Sequence, residues 1–165
     1  MIRPFIPWPD ARLRTPAAPV DAITDEIRAL WADMVDTMDA MPGYGLAGPQ
    51  IGVMLRVAVV DCSDERGRAI LLANPEILHA SVQPREHEEA SPNLPGVYAP
   101  VTRPRAVTVR FLNADGMSED RDFVGLWATS VQHQIDHLNG RMYFDNLSPL
   151  KRKMLIARAQ KLARR

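Results

Sequence analysis

The sequence predicts an α+β fold in which the β-structure is largely antiparallel. Three observations support this: a helical stretch comes first, five short strand candidates follow between Arg56 and Phe123, and two helical stretches end the chain. Because these strands lie close together and no helices separate them, the sheet should be largely antiparallel. The 165 residues have the size of one ordinary domain, spanning 1–165, without internal repeats or a linker.

The first predicted helix follows a proline-rich start. Its apolar side chains recur at helical spacing over four turns: Ile23, Ile27, Leu30, Trp31, Met34, Val35 and Met38. Thr24 is the expected N-cap, because Asp25 and Glu26 then occupy the first turn, where acidic side chains suit the helix dipole. Pro42-Gly43 should end this helix and open a glycine-rich loop at 43–52.

The strand candidates are Arg56–Val60, Ala69–Leu72, Pro75–Leu78, Ala106–Leu112 and Arg121–Phe123, with a turn at Asp115-Gly116. A second helix is predicted from Leu126 to Leu138, since Gly140 lies where a glycine commonly follows a helix end. Ser148 and Pro149 are typical of the N-cap and first position of a last helix.

Composition favours a protein of the soluble globular class, with 46% hydrophobic and 24% charged residues. No apolar run approaches the roughly 20 residues that cross a bilayer, and the N-terminus lacks the apolar core of a signal peptide. The single Cys62 cannot form an internal disulfide. These features predict a cytoplasmic protein with neither a membrane nor DNA as partner.

The net charge of zero hides a basic C-terminus. The segment 148–165 has seven basic residues and no acidic ones: Lys151, Arg152, Lys153, Arg158, Lys161, Arg164 and Arg165. Such a helix can contact phosphate backbones or an acidic partner. The alternative is a solvated helix face whose late cations suit the dipole.

Two histidines on the second helix are the strongest functional signal. His133 and His137 are four residues apart, so they share one helix face and lie close enough to hold one metal ion. In the H-E-x-x-H motif of zinc hydrolases, a Glu after the first histidine moves protons to and from metal-bound water. Here that residue is Gln134, whose amide cannot accept the proton.

Three segments in this order resemble the motifs of the peptide deformylase family. The family carries G-x-G-L-A-A-x-Q, E-G-C-L-S and H-E-x-D-H-L, and the chain has the matching segments 43–50, 89–93 and 133–138. The resemblance runs nearly end to end. It implies a mixed, largely antiparallel sheet around a central helix that presents the histidines, and the removal of the formyl group from N-terminal methionine of nascent peptides.

The resemblance also implies a role for each site residue. Its iron or zinc ion would be held by His133, His137 and the cysteine of the second motif, which is Ser91 here. The oxyanion would be stabilised by Gln50 and by the backbone N–H of position 92, which is a proline without an N–H. Gln134 stands in place of the acid–base Glu.

Both anionic groups of the family site are thus replaced by neutral ones. Losing a ligand should weaken metal binding strongly, since even losses beyond the ligands cost about 10–100-fold. A missing oxyanion donor costs about 10²–10³ in rate, and a missing acid–base about 10²–10⁴. We therefore predict no cofactor; the alternative is one divalent metal ion, iron, zinc or nickel.

The predicted function is peptide binding with hydrolysis lost or severely impaired. By resemblance, the loop 43–52 pairs with extended peptide, and the residues expected to bind substrate are Gly43, Gly45, Leu46, Gln50 and Tyr98. The rival hypothesis is a slow or altered deformylase with a rebuilt ligand set that uses His87 or Glu89. His79, Glu88 and Cys62 are interpreted as structural or exposed. The basic helix suggests a further, ribosomal contact.

Overall fold

The computed structural model describes all 165 residues and contains three α-helices and seven strands. Their bounds are α1 Asp25–Ala40, β1 Gly45–Ala47, β2 Val57–Val60, β3 Ile70–Ala80, β4 Pro84–Glu89, β5 Ala99–Pro104, β6 Ala106–Leu112, β7 Ser118–Val124, α2 Leu126–Leu138 and α3 Pro149–Ala163. Short 3₁₀ helices lie at Ala11–Arg14, Gly48–Ile51 and Tyr143–Asn146.

The strands form two antiparallel sheets on either side of α2. The larger has the order β1-β2-β3-β6-β7, and the smaller consists of β4 and β5. Helix α2 packs against β1, β2 and β7 of the larger sheet and against β5 of the smaller one, and ten of its thirteen residues are buried. The predicted α+β fold, with antiparallel sheets around the histidine-bearing helix, is confirmed.

Local signals account for the helix ends. The Thr24 hydroxyl accepts a hydrogen bond from the Ile27 N–H at 3.3 Å, and the Ser148 hydroxyl accepts one from the Lys151 N–H at the same distance. Helix α2 has the predicted bounds and is followed by Gly140 with φ of +76°. A Cβ there would also lie 2.8 Å from the Arg14 carbonyl oxygen, so glycine is required.

The separation of 69–72 from 75–78 into two strands was wrong. Strand β3 runs without interruption from Ile70 to Ala80, with a register shift against β6 between Ala73 and Glu76. Asn74 adopts φ of +49° at this bulge and hydrogen-bonds the backbone of Val20. Pro75 lies within this bulge and is not paired with a residue of β6. Its missing N–H therefore interrupts none of the hydrogen bonds between the two strands.

Strands β4 and β5 were not predicted, because β4 has no apolar residues at alternate positions and β5 contains two prolines, which argue against a strand. Strand β4 reads Pro-Arg-Glu-His-Glu-Glu and alternates instead between exposed and partly buried polar residues. Both strands are edges of a two-stranded sheet, where charged residues and prolines are common. None of the helices is both long and apolar enough to span a membrane.

Candidate binding cleft at the histidine pair

One face of α2 forms the floor of a cavity of about 400 Å³, which we call the cleft. The α2 residues that line it recur every three or four positions, as helix geometry requires: Leu126, Thr129, Ser130, His133 and Gln134. The segment 41–45 forms one side with Gln50, and the segment 87–92 forms the other. The sequence-predicted residues Gly43, Gly45, Ser91 and Pro92 all lie on these walls.

Two strand edges without a partner strand flank the cleft. Strand β1 pairs only with β2, and β4 pairs only with β5. Gly45 of β1 and His87, Glu88 and Glu89 of β4 all line the cavity. Unpaired strand edges present backbone N–H and C=O groups that an extended peptide can complete.

Gly45 permits the close approach of β1 to α2. A Cβ at this position would lie 2.5 Å from Nε2 of Gln134 and 2.6 Å from the Ser130 hydroxyl oxygen. The Ser130 hydroxyl donates to the Tyr44 carbonyl oxygen at 2.9 Å, which further fixes the strand on the helix. The width of the cleft at this end therefore depends on the absence of a side chain at position 45.

His133, on the floor of the cleft, contacts His137, which lies behind it. Their Nε2 atoms are 3.2 Å apart, and both rings are buried, with His137 only 1% exposed. Burial first, and then His133 and Arg103, hold the pKa of His137 well below its usual value, so its ring is neutral. Nδ1 of His137 has no hydrogen-bond partner.

Glu89 orients His133 from the side opposite to His137. Its carboxylate lies 2.7 Å from Nδ1 of His133 and accepts two hydrogen bonds from Arg103, at 2.7 and 2.9 Å. Burial opposes ionisation, but the hydrogen bonds and charges of His133 and Arg103 outweigh it and lower the pKa of Glu89 to about 2. His133 therefore presents Nδ1 to Glu89 and Nε2 to Nε2 of His137.

Ser91, at the position of the family's cysteine, is part of a hydrogen-bond network with Asn93 and Gln50. Its hydroxyl donates to Oδ1 of Asn93 at 3.0 Å and accepts from the Asn93 N–H at 3.3 Å. The Gln50 amide nitrogen donates to the same Oδ1 at 2.9 Å and lies 3.5 Å from the Ser91 hydroxyl oxygen. Oε1 of Gln50 accepts from the Ala47 N–H at 3.0 Å.

Gln134 occupies the position of the family's acid–base Glu, but its neutral amide cannot transfer a proton as a carboxylate does. Its side chain is 4% exposed, and its Oε1 is buried without a hydrogen-bond partner. An amide cannot accept a proton near neutral pH. Pro92 lines the opposite wall and contributes no N–H to it.

Three of the predicted site residues do not line the cleft. Leu46 is a fully buried core residue of β1, Tyr98 is 64% exposed elsewhere, and His137 lies behind His133. Conversely, sequence reasoning missed Asn93 and Arg103 as hydrogen-bonding partners of the site. It also missed Thr129 and Ser130 as lining residues, although their spacing of four and three residues before His133 was a usable signal.

The side chains present do not fit the iron or zinc ion that the family motif implies. No group of three or more His, Cys, Asp and Glu side chains is placed to hold a metal ion. Glu89, one proposed replacement ligand, contacts Nδ1 of His133 and is paired with Arg103. Cys62 lies against the core, and burial raises its pKa to about 12, so its thiol stays protonated.

Comparison with known proteins identifies relatives over nearly the whole chain. The family model for polypeptide deformylase matches residues 2–153. The peptide deformylase of Methylocella silvestris is 45% identical, covering 99% of this chain and 86% of the relative. A protein named peptide deformylase-like in Bradyrhizobium diazoefficiens is 42% identical, with coverage of 99% and 95%.

A solved structure gives the same result for the fold. The crystal structure of a peptide deformylase from Legionella pneumophila superposes with a TM-score of 0.92 at 41% identity, covering 99% of this chain and 96% of the other. The motif resemblance, the family model and the superposition agree, and the chain belongs to the peptide deformylase family.

Proposed function

We propose that the protein binds the N-terminal segment of peptides in the cleft and does not hydrolyse them at a useful rate. The observation that carries this proposal is the contrast within one cavity. The two free strand edges and Gly45 are in place, whereas the groups for hydrolysis are replaced. Peptides that begin with methionine, formylated or not, are the natural candidates, since relatives carry the name peptide deformylase.

The electrostatics of the cleft argue against retention of a divalent cation. Ser91 and Gln134 are neutral, and the one buried carboxylate nearby, Glu89, is paired with Arg103. A cation beside the histidines would have no unpaired anion at the family's ligand positions. In a partly desolvated cavity, an unbalanced charge has a high free-energy cost.

Several further replacements act on the same step of hydrolysis. Gln134 cannot move a proton, a loss of about 10²–10⁴ in rate. Pro92 removes one donor for the oxyanion, a loss of about 10²–10³. Gln50, the other donor of the family, is retained and donates one of its two amide hydrogens to Asn93. These losses are not additive, but any one of them is sufficient to make turnover slow.

Calorimetry tests peptide binding directly. The wild-type protein should bind formyl-Met-Ala-Ser or Met-Ala-Ser in the millimolar range or more tightly, without releasing formate. Ala90 is exposed on the cleft wall, so Ala90→Trp should abolish the heat of binding by filling the cavity. The matched control is Ala80→Trp, an exposed alanine at the end of β3. No heat with either peptide would eliminate the proposal.

The competing function is a slow deformylase with an altered ligand set. One observation favours it: the Nε2 atoms of His133 and His137 converge at 3.2 Å, close to the spacing of two nitrogens around a tetrahedral zinc ion, about 3.3 Å. A formate-release assay on metal-supplemented protein separates the two functions. Turnover that disappears in His137→Ala would establish this rival, with His87 as the candidate third ligand.

The basic helix α3 supports a further proposal, namely that the protein contacts ribosomal RNA. Such contact would place the cleft near nascent chains in the cytoplasm. Six of the seven basic residues in the segment 148–165 are exposed, while Arg152 reaches Asp145 at 3.3 Å. Such contact should weaken steeply with salt. Replacing Lys151, Lys153 and Lys161 with Glu should abolish co-sedimentation with ribosomes at low salt; unchanged co-sedimentation would contradict it.

A further inference from the structure

Alternate side chains of β4 point towards α2 at the cleft wall, and the others are exposed. The inward side chains are those of Arg85, His87 and Glu89. The carboxylate of Glu89 lies 2.7 Å from Nδ1 of His133. One helical turn earlier, Nη1 of Arg85 donates a hydrogen bond to the Thr129 hydroxyl oxygen at 3.0 Å. The wall therefore contacts two consecutive turns of α2, and His87, which lines the cavity, lies between these contacts.

Arg85 is the cation of this wall that lacks an ion pair. It lies directly across from Arg103 in the pairing of β4 with β5, and both side chains face inward, where like charges destabilise a sheet. Arg103 is paired with Glu89 at 2.7 Å and with Asp136 at 2.9 Å. Arg85 has no carboxylate partner, and the first turn of α2 beside it contains no acidic residue. The four charges sum to zero, but both carboxylates are held at Arg103, so no opposite charge contacts the Arg85 guanidinium.

The hydrogen-bonding positions that remain open beside Thr129 are donors. Only one of the N–H groups of Arg85 is used, in the bond to Thr129. The Thr129 hydroxyl accepts that bond, but its own hydrogen has no acceptor within the protein, although the residue lines the cavity and is only 4% exposed. Glu88 also lines this wall, but it is exposed and its charge is screened by solvent. A negatively charged group that accepts hydrogen bonds would therefore complete this part of the cleft.

We infer that Arg85 and the Thr129 hydroxyl recognise a carboxylate of the ligand, so that the cleft prefers peptides with an acidic side chain at the first or second residue. The carboxylate accepts the free hydroxyl hydrogen of Thr129 and the remaining N–H groups of Arg85, which makes the hydrogen bonds charge-assisted. Thr129 lies one helical turn from His133, about 6 Å along the axis. That distance is within reach of the first side chains of a peptide whose N-terminus lies over the histidines. Because this preference presupposes that the cleft binds peptides, it rests on the proposed function.

Calorimetry on the wild-type protein compares peptides that differ in a single charge. The two pairs are Glu-Ala-Ser with Gln-Ala-Ser, and Met-Glu-Ser with Met-Gln-Ser. Each peptide has an amidated C-terminus, so that the Glu side chain supplies the only carboxylate. In at least one pair, the Glu peptide should bind about 10-fold more tightly at low salt, since hydrogen bonds between charged groups are stronger than neutral ones. Equal affinities within both pairs would overturn the inference.

Variants then test the two residues. Arg85→Met removes the guanidinium and should bring the ratio of the two affinities within a pair close to 1. Arg85→Lys keeps the positive charge and should retain part of the preference, and Thr129→Val, which removes the hydroxyl at similar volume, should lower it. The matched control is Arg141→Met, because Arg141 is an exposed arginine beyond the end of α2 that has no ion pair and does not line the cleft. It removes the same charge from the molecule and should leave the ratio unchanged.

The affinity ratio is the decisive quantity, because a purely structural role of Arg85 would lower both affinities within a pair without changing their ratio. A preference for Glu that survives Arg85→Met, or that Arg141→Met abolishes to the same extent, overturns the role of Arg85. Binding of all four peptides without a preference removes this inference and leaves the proposed function intact. Absence of binding to all four peptides removes the proposed function and this inference together.

Discussion

Restoring one ligand should restore metal affinity, and Ser91→Cys is the change that tests the electrostatic reasoning. A thiolate would supply both a third ligand and the missing negative charge beside His133 and His137. Since changes beyond the ligands already alter metal affinity by about 10–100-fold, a full ligand should increase zinc affinity by at least about 100-fold. The cost is small, because the hydroxyl lost from position 91 makes hydrogen bonds of 3.0 and 3.3 Å only to Asn93.

The gain should be visible in thermal unfolding. At a zinc concentration of about 100 times its Kd, binding stabilises the folded state by about 2.7 kcal/mol. For a protein of this size, that corresponds to a rise in Tm of roughly 5–11 °C. Wild-type protein at the same zinc concentration should shift by much less.

Ser81→Cys is the matched control, because it places a thiol in the turn between β3 and β4, away from the histidines. Elemental analysis of protein purified without chelators provides a second readout. We expect substoichiometric metal in the wild type and in Ser81→Cys, and zinc or iron approaching one equivalent in Ser91→Cys. Stoichiometric metal in the wild type would refute the claim that the two histidines need an anionic partner.

Two other predictions concern the packing and charge of the cleft. Gly45→Ala should destabilise the protein by about 1–3 kcal/mol, because its Cβ would lie 2.5 Å from Gln134 and 2.6 Å from the Ser130 hydroxyl oxygen; an unchanged midpoint in urea would contradict this contact. Glu89 has a folded-state pKa of about 2, below the ordinary pKa of 4.5 for this group. The stabilisation by its ionised carboxylate is therefore complete above about pH 4.5 and is lost as the pH falls towards 2. Glu89→Gln should therefore lower stability at pH 6 and flatten the pH dependence between 4.5 and 2, as measured by urea unfolding; a variant that keeps the wild-type slope would refute it.

Local sequence patterns were sufficient where neighbouring residues decide the structure. The bounds of α2 follow from apolar periodicity and Gly140, and the start of α3 follows from Ser148 and Pro149. Patterns failed for β4, whose residues are mostly charged, and for β5, which contains two prolines. They also failed for β3, where the bulge at Asn74 accommodates a proline that would otherwise mark a strand end.

The residues expected at the histidine pair could be named from three motifs. The replacements at Ser91, Pro92 and Gln134 are also the basis for predicting impaired hydrolysis. The motifs did not show that the Gln50 amide nitrogen donates to Asn93. That contact joins residues 43 positions apart, and Asn93 also binds Ile6, 87 positions away. No local spacing encodes a hydrogen bond across such distances.

The amino-acid order alone established the family-type helices, the histidine pair and the loss of two anions, because each depends on residue identity or on spacing within a few turns. Tertiary packing decided the rest: which buried polar groups pair with one another, which carboxylate is neutralised by Arg103, and how wide Gly45 leaves the cleft. These properties arise where segments distant in the chain meet, and their physical cause is competition among buried polar groups for a limited number of partners.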